Sequence, residues 1–227
     1  MQFQYTTLET CGDASGVVVV IDVLRAFTTA AYALAAGAGQ IALVSSIEDA
    51  FALKARYPAA RLMGEEKGLP IAGFDYGNSP SAIVTGNLNG CTMIQRTSAG
   101  TQGVVRSLKA EVLLAGSLCC AAATAKYIQG LAPEWVTFVI TGSHTADQGD
   151  EDRACADYLQ GLLEGNPPDR GVIVQRVRES AAARKFMDPK EGEFPLSDLE
   201  YALAIDWFDF VLRVEREGDG LWMRAVE

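Results

Sequence analysis

The segment from Asp22 to Thr29 combines a carboxylate, an arginine and two hydroxyls directly after a run of β-branched residues. Asp22 follows four valines and an isoleucine, so it lies where a buried strand would end. A carboxylate there is costly unless it is paired or binds a cation. Arg25 offers a planar fork for phosphate or carboxylate, and Thr28 and Thr29 open a predicted helix whose N-terminus favours an anion. The alternative is that Asp22 simply pairs with Arg25 while Thr28 caps the helix.

A second candidate segment is the glycine-rich loop over residues 64–80. Loops of this length inside a compact domain are usually functional, and glycine lets the backbone approach a ligand closely. Glu65 and Asp75 carry the hard oxygen donors that Mg²⁺ prefers. Asn78 and Ser79 could bind substrate, although an Asn-Ser pair before a proline is also typical of a helix cap. The alternative for the whole segment is a solvated surface loop.

A third segment, Arg96 to Thr101, has the pattern of a strand, a turn of small residues and a helix. The turn is typical of a backbone nest for an oxyanion, with Arg96 as the counter-charge. Ser98, Gly100 and Thr101 are the candidate binding residues within it. The segment lacks the Lys-Ser or Lys-Thr ending of a phosphate-binding P-loop, so an ordinary helix cap explains it equally well.

A fourth segment places four carboxylates at the start of a predicted helix, over residues 147–152. Carboxylates in this position often do no more than satisfy the helix dipole. Alternatively, Glu151 or Asp152 points back at a metal ion. The single histidine, His144, precedes this segment and is either a general base or a polar surface residue.

The elements that must position these residues alternate between strand and helix along the chain. Short apolar runs predict strands at Val17–Ile21, Ile41–Val44, Arg61–Met63, Cys91–Gln95, Val112–Ala115 and Trp135–Ile140. Helical patterns follow at Thr28–Gly37, Ile47–Tyr57, Leu118–Gln129, Glu151–Leu163, Val172–Phe186 and Leu196–Ile205. Ser46 with Asp49, and Ser197 with Glu200, have capping-box spacing. The segments Phe210–Val214 and Leu221–Val226 predict a terminal hairpin.

This alternation predicts an α/β fold: a three-layer α/β/α arrangement with a mostly parallel sheet and a C-terminal β-hairpin. We expect one α/β domain over residues 1–227, with a candidate subdomain edge at the proline-rich break near residues 165–170. Ligands of such sheets bind beyond the carboxyl ends of the strands. We therefore expect the four segments to face one cleft. There a divalent cation would bridge carboxylates to a phosphate and orient or activate a water.

Composition excludes several classes of partner. The 227 residues include 29 acidic and 19 basic side chains, a net charge of -10. Nucleic acids and anionic membranes need clustered Lys and Arg, so neither is an expected partner. The five cysteines lack ligand spacing, and no signal peptide or membrane-length apolar run is evident, which predicts a cytoplasmic protein with reduced thiols. Trp207, Phe208, Phe210 and Trp222 suit either a homo-oligomer interface or packing of the hairpin on the core.

The order of these motifs resembles the 2-phosphosulfolactate phosphatase family. The specific stretches are residues 19–29 and the Gly-Phe-Asp-Tyr-Gly-Asn-Ser-Pro block of residues 73–80. Supporting matches are Gly64-Glu65, Ser98-Ala99-Gly100-Thr101, Gly116-Ser117-Leu118 and Glu151-Asp152, with a weaker echo at Phe194-Pro195 and Asp198. The chain departs from the family pattern at Glu66, Ala99 and Cys120.

The resemblance implies an α/β/α fold and Mg²⁺-dependent hydrolysis of a phosphate ester on a sulfonated hydroxy acid, which releases sulfolactate for coenzyme M biosynthesis. It implies that metal binding or water activation falls to Asp22, Glu65, Asp75, Glu151 and Asp152. It implies that the phosphate or sulfonate is held by Arg25, Thr28, Thr29, Ser98, Gly100 and Thr101. Among these, we predict Asp22, Arg25 and Glu65 as catalytic.

Two other functions remain open from the residues. A haloacid dehalogenase-like phosphatase would use a strand-end aspartate such as Asp22 as nucleophile, but its second aspartate is replaced here by Leu24. A non-catalytic protein that binds an anionic metabolite would need the anion-binding turns without the crowd of carboxylates.

Overall fold

The computed structural model describes residues 1–142 and 149–227. Within these ranges the strands are β1 (Gln2–Thr7), β2 (Gly16–Ile21), β3 (Gln40–Leu43), β4 (Arg61–Glu66), β5 (Leu69–Pro70), β6 (Thr92–Arg96), β7 (Ala110–Gly116), β8 (Trp135–Ile140), β9 (Val211–Glu217) and β10 (Gly220–Val226). The helices are α1 (Ala26–Ala35), α2 (Ile47–Arg56), α3 (Pro80–Ile83), α4 (Gly100–Arg106), α5 (Ala121–Leu131), α6 (Asp150–Glu164), α7 (Arg170–Glu179), α8 (Arg184–Met187) and α9 (Leu196–Ala202).

The strands form one large sheet in the order β1-β8-β2-β7-β9-β10-β3-β6-β4-β5. Two groups are internally parallel: β1, β8, β2 and β7 form one, and β3, β6 and β4 form the other. The hairpin β9–β10 lies between them and pairs antiparallel with β7 and with β3. Since three successive pairings reverse direction, the two groups run in opposite directions. The carboxyl ends of the two groups therefore lie at opposite edges of the sheet, so a shared edge is not what brings the four predicted segments together.

Helices cover both faces of the sheet. Along β2, Val18 and Val20 pack into a buried cluster with residues of α1 and α4. The alternate residues Val19 and Ile21 belong to a cluster with residues of α5 and α6. This alternation is the two-residue period of a strand whose two faces are both buried. The predicted α/β/α class, the mostly parallel sheet and the C-terminal hairpin are confirmed.

The sequence patterns predict some ends of strands and helices correctly and others wrongly. Strand β8 begins and ends as predicted, and Ser46 and Asp49 form a reciprocal capping box at α2. The single helix predicted over Val172–Phe186 is wrong, because the backbone turns extended at Ser180 and separates α7 from α8. The second predicted capping box is also wrong, since Pro195 is the N-cap of α9 and no side chain caps that helix.

The aromatic residues near the C-terminus mostly pack within the protein. Trp222 contacts Tyr57 edge to face at 5.7 Å between ring centroids, and Phe208 stacks on Phe210 at 5.0 Å. Trp207, by contrast, is 68% exposed. Packing on the core therefore accounts for three of the four aromatic residues, and self-association stays a prediction. All five cysteines are free thiols. No helix in the described ranges has the length and apolarity needed to span a bilayer.

Candidate active site

Asp22 lies between the N-terminal ends of two helices. Its Oδ1 atom accepts a hydrogen bond from the backbone N–H of Ala26, in the first turn of α1, at 2.9 Å. The backbone N–H of Gly100, at the start of α4, also acts on this carboxylate and lowers its pKa. A Cβ atom on Gly100 would lie 2.8 Å from Asp22 Oδ2 and 2.7 Å from the Cβ of Ala26. Glycine at position 100 is therefore what allows the two helices to begin on either side of Asp22.

Helix α4 reaches Asp22 because it packs on β2. The helix follows β6, which belongs to the other parallel group, yet it packs across on β2. At the contact, a Cβ atom on Gly103 would lie only 2.5 Å from Cγ1 of Val20. The close approach of α4 to β2, and not a shared sheet edge, thus joins Gly100 to Asp22.

Burial and neighbouring carboxylates make Asp22 hard to ionise. Removal from water is the largest cause of a rise in its pKa to about 7, and the N–H of Ala26 opposes part of that rise. The negative charges of Glu65 and Glu151 contribute to the same rise in pKa. A carboxyl group that titrates near neutral pH inside a protein is typical of functional sites.

Glu151 and Asp152 reach the site from the first turn of α6 and are both buried. Asp152 accepts the N–H groups of Val23 at 2.8 Å and Gly142 at 2.9 Å, which ties the segment after β2 to the end of β8. Burial raises the pKa of Asp152, and the charges of Glu151 and Asp22 add to it. Burial also raises the pKa of Glu151, whose Oε2 atom has no partner among the described residues.

Glu65 joins two turns. It accepts the N–H of Gly68 and, from Ser98, both the N–H and the hydroxyl, the latter at 3.1 Å. Arg96 donates to the carbonyl oxygen of Glu65 at 2.9 Å and lies 3.5 Å from the carboxylate of Glu66. Both carboxylate oxygens of Glu65 therefore hold the turn after β4 against the turn after β6.

The turn that leads into α4 is closed by its own side chains. The Thr101 hydroxyl accepts the N–H of Thr97 and donates to the Thr97 carbonyl, each at 2.9 Å. In return, the Thr97 hydroxyl accepts the N–H of Thr101 at 3.0 Å. Of the residues predicted to bind an anion in this turn, Gly100 faces Asp22, whereas Thr101 shapes the turn.

The residues at the start of α1 do not make the contacts expected of a simple helix cap. Arg25 is the N-cap residue, but its guanidinium pairs with Asp198 at 2.7 Å and not with Asp22. The Thr28 hydroxyl lies 2.7 Å from the Val23 carbonyl and 2.6 Å from the Ser117 hydroxyl, so it does not cap the helix. The alternative that Asp22 pairs with Arg25 while Thr28 caps α1 is thus wrong.

Two side chains predicted to bind substrate carry buried polar atoms without a partner. The Thr29 hydroxyl and Oδ1 of Asn78 have no hydrogen bond among the residues described. Ser79 next to Asn78 accepts the N–H of Ala82 at 3.3 Å, with Pro80 in the first helical position of α3. The helix-cap interpretation of Asn78-Ser79-Pro80 is confirmed, and Asn78 keeps a free acceptor.

Asp75 lies apart from the other carboxylates. It accepts the N–H of Leu62 at 2.8 Å, lies 4.0 Å from Lys54, and its side chain is 44% exposed. Leu62 precedes Glu65 by three residues on β4, a separation of roughly 10 Å along a strand. Asp75 therefore orders the loop beside β4. His144 lies outside the described residues, and within them no three His, Cys, Asp or Glu side chains are arranged to ligate one metal ion.

Comparison with known proteins places the chain in a family. Residues 4–217 match the family model described as 2-phosphosulpholactate phosphatase. A probable 2-phosphosulfolactate phosphatase of Bacillus subtilis (strain 168) is 38% identical over 202 residues, 88% of each chain. A protein of the same description from Thermoplasma volcanium is 30% identical over 87% of this chain and 88% of its own length. One from Carboxydothermus hydrogenoformans is 44% identical over 64% of this chain and 60% of its own. The chain belongs to the 2-phosphosulfolactate phosphatase family.

Proposed function

We propose that this protein hydrolyses 2-phospho-3-sulfolactate to sulfolactate and phosphate, with Mg²⁺ as its cofactor. Family membership and the names of the relatives support the reaction. The structural observation that carries the proposal is the buried carboxylate of Asp22, held between the N-termini of α1 and α4 beside Glu151. Helix N-termini favour phosphate, and carboxylates favour a dication, so the two kinds of group complement each other.

The acidic residues present fit a magnesium ion. Oε2 of Glu151 is buried without a partner among the described residues, and burial and like charge disfavour the ionised form of Asp22. A dication would relieve both costs. Mg²⁺ is usually held by one or two carboxylates together with substrate phosphate and water, so Asp22 and Glu151 suffice as protein ligands. When bound, the ion would neutralise phosphate charge and orient or activate a water.

The surrounding residues position these groups and bind the substrate. Asp152 holds Val23 and so fixes the segment that carries Asp22, and Glu65 holds the turn that presents Gly100. Arg25 lies at the N-cap of α1, where the helix dipole favours the same anion that a guanidinium binds. This side of the site would therefore hold the phosphate or the sulfonate.

Phosphate release from a panel of phosphate esters, 2-phosphosulfolactate included, with and without Mg²⁺, tests the proposal. We expect the wild-type protein to release phosphate from 2-phosphosulfolactate only with Mg²⁺. We expect D22N to lose at least about a hundredfold in kcat, the order seen when a transition-state charge partner is removed. G130A, at a helical position with no heavy atom within 4 Å of the added Cβ, is the control and should keep wild-type activity. Absence of Mg²⁺-dependent release from any ester by the wild type would overturn the proposal.

The same variant separates the two alternatives. If the wild type releases no phosphate, and if wild type and D22N bind sulfolactate equally tightly, the protein is a binding protein and not an enzyme. A phosphoryl group trapped on Asp22 during turnover would show covalent attack of the haloacid dehalogenase kind. Direct attack by water leaves no such adduct.

A further inference from the structure

Arg25 is held in one orientation by residues from a distant part of the chain. Its Nη1 atom donates to Oδ2 of Asp198 at 2.7 Å and to the carbonyl oxygen of Glu193 at 3.0 Å. The guanidinium carbon lies 4.7 Å from the ring centroid of Phe194 and 5.3 Å from that of Phe186. A free arginine would lose much rotamer freedom on binding a ligand. These contacts impose that ordering beforehand, which favours binding.

Both hydrogen bonds of Arg25 use the same nitrogen. Within residues 1–142 and 149–227, none of the hydrogen bonds of Arg25 uses its Nε or Nη2 atom. These two atoms form one of the edges with which a guanidinium binds a carboxylate, phosphate or similar oxyanion through two parallel bonds. The side chain is thus fixed from one side and keeps two adjacent donors for a ligand.

Asp198 is fixed as firmly as the arginine that it holds. The residue is fully buried, and its Oδ1 atom accepts the Ser79 hydroxyl at 2.8 Å, the Ser81 hydroxyl at 2.6 Å and the Ser81 N–H at 3.0 Å. A buried carboxylate is tolerated only with such complete pairing. Asp198 therefore links the first turn of α3 to the N-cap of α1, and Ser79 acts on the site through it.

We propose that Asp198 is a positioning residue that holds Arg25 so that its Nε–Nη2 edge binds an anionic group of the substrate. This inference rests on the proposed function and extends it beyond the segments that first suggested the site. Asp198 does not touch the substrate. Asp198 must therefore affect turnover through Arg25. A double-mutant cycle of the two residues tests this requirement.

Steady-state kinetics of the full chain with 2-phosphosulfolactate test that coupling. D198N should lower kcat/KM by about tenfold or more, since a misdirected guanidinium loses a charged hydrogen bond. When Arg25 is already replaced, the D198N change should lower kcat/KM by less than about twofold relative to R25A alone. The effects of two residues that act as one unit are not additive. Full additivity of R25A and D198N would overturn the proposal.

D206N is the matched control. Asp206 also pairs with an arginine, Arg170 at 2.5 Å, and accepts the Tyr158 hydroxyl at 2.8 Å, with its side chain only 7% exposed. Its backbone φ of 56° is one that asparagine tolerates. D206N should lower the melting temperature as D198N does, but leave kcat/KM at the wild-type value. Equal kinetic losses in the two variants would mean that Asp198 is merely structural.

A binding measurement keeps this inference separate from the proposed function. Titration calorimetry with inorganic phosphate and with sulfolactate should show weaker binding of at least one of them to D198N than to D206N. This outcome supports the role of Asp198 even if the wild type hydrolyses no 2-phosphosulfolactate. Unchanged or tighter binding of both probes to D198N would overturn it. A wild type that neither hydrolyses the ester nor binds either probe would overturn both proposals.

Discussion

At the scale of single residues, the dominant feature is the crowding of carboxyl groups around Asp22. Burial raises the pKa of Asp22, Glu151 and Asp152; the charge of Glu151 adds to the rise at the two aspartates, and the charge of Asp150 adds to the rise at Glu151. Without a cation, the folded protein holds protons here that the unfolded chain would release. The free energy of unfolding should therefore depend on pH and on whether a metal ion is bound.

This coupling predicts that metal-free protein loses stability as the pH rises from about 4 to about 7. The folded pKa of Asp22, about 7, lies above the unfolded value of 3.8, so its contribution is present at low pH and lost through this window. Denaturant unfolding in a chelator at several pH values should show a shallower decline for D22N than for wild type. Added Mg²⁺ should stabilise the wild type more at pH 7 than at pH 5. Identical pH slopes for the two proteins would contradict this prediction.

The residue scale also shows how much of the site the sequence could predict. Asp22 and Glu151 were identifiable because each stands at a strand or helix end, a position that local pattern reveals. The partner of Arg25 was not, because Asp198 is 173 residues away and Asp22 offered a nearer carboxylate. The only signal was the weak family echo around Phe194 and Asp198.

At the scale of elements, small residues let helices approach one another and the sheet. Gly100 and Gly103 lie on successive turns of α4, one against Asp22 and Ala26, the other against Val20. Packed cores resist even one added methyl group. Helix α4 is therefore the element on which the geometry of the site depends most directly.

G100A should displace α4 from α1, destabilise the protein by about 1–3 kcal/mol and abolish most activity. The added Cβ would meet Asp22 Oδ2 and Ala26 Cβ at less than 3 Å. G130A, in α5, meets nothing within 4 Å, so it should instead gain about 0.5–1 kcal/mol from helix propensity. Urea unfolding and phosphate release measure both effects. A G100A protein with wild-type activity would show that Asp22 and α4 need not touch.

Elements with local signals were predictable, and those set by distant pairing were not. Helix α2 carries its own capping box, and β2 is a continuous β-branched run. The break at Ser180 was hidden because the amphipathic period continues across it. Strand β1 carries no comparable local signal, since its place at the sheet edge depends on pairing with β8.

At the scale of the whole molecule, the hairpin β9–β10 joins two groups of parallel strands that otherwise share no pairing in the described sheet. Met223 lies on β10 opposite Ile41 and Val214 and is fully buried. Because the hairpin pairs with a strand of each group, loss of either group would remove part of its pairing. We therefore expect the described sheet to unfold as a unit.

M223A should cost about 2–5 kcal/mol, the usual price of a buried cavity, while keeping a single unfolding transition. V172A, at a position 58% exposed, should change stability by less than about 0.5 kcal/mol. Far-UV circular dichroism and tryptophan fluorescence, followed in the same denaturant series, should give coincident unfolding curves for each variant. Transitions that separate in M223A would mean that the two groups of strands are independent.

The central place of the hairpin bears on how the protein is made. A ribosome releases Asp22 and its motif early, but β9 and β10, which bridge the two groups of strands, emerge late, as does Asp198, which orients Arg25. A nascent chain therefore carries the recognisable motifs well before it can arrange them. Premature termination before β9 would yield an inactive fragment that carries most of the family motifs and leaves the edges of β7 and β3 unpaired, open to aggregation or to chaperones.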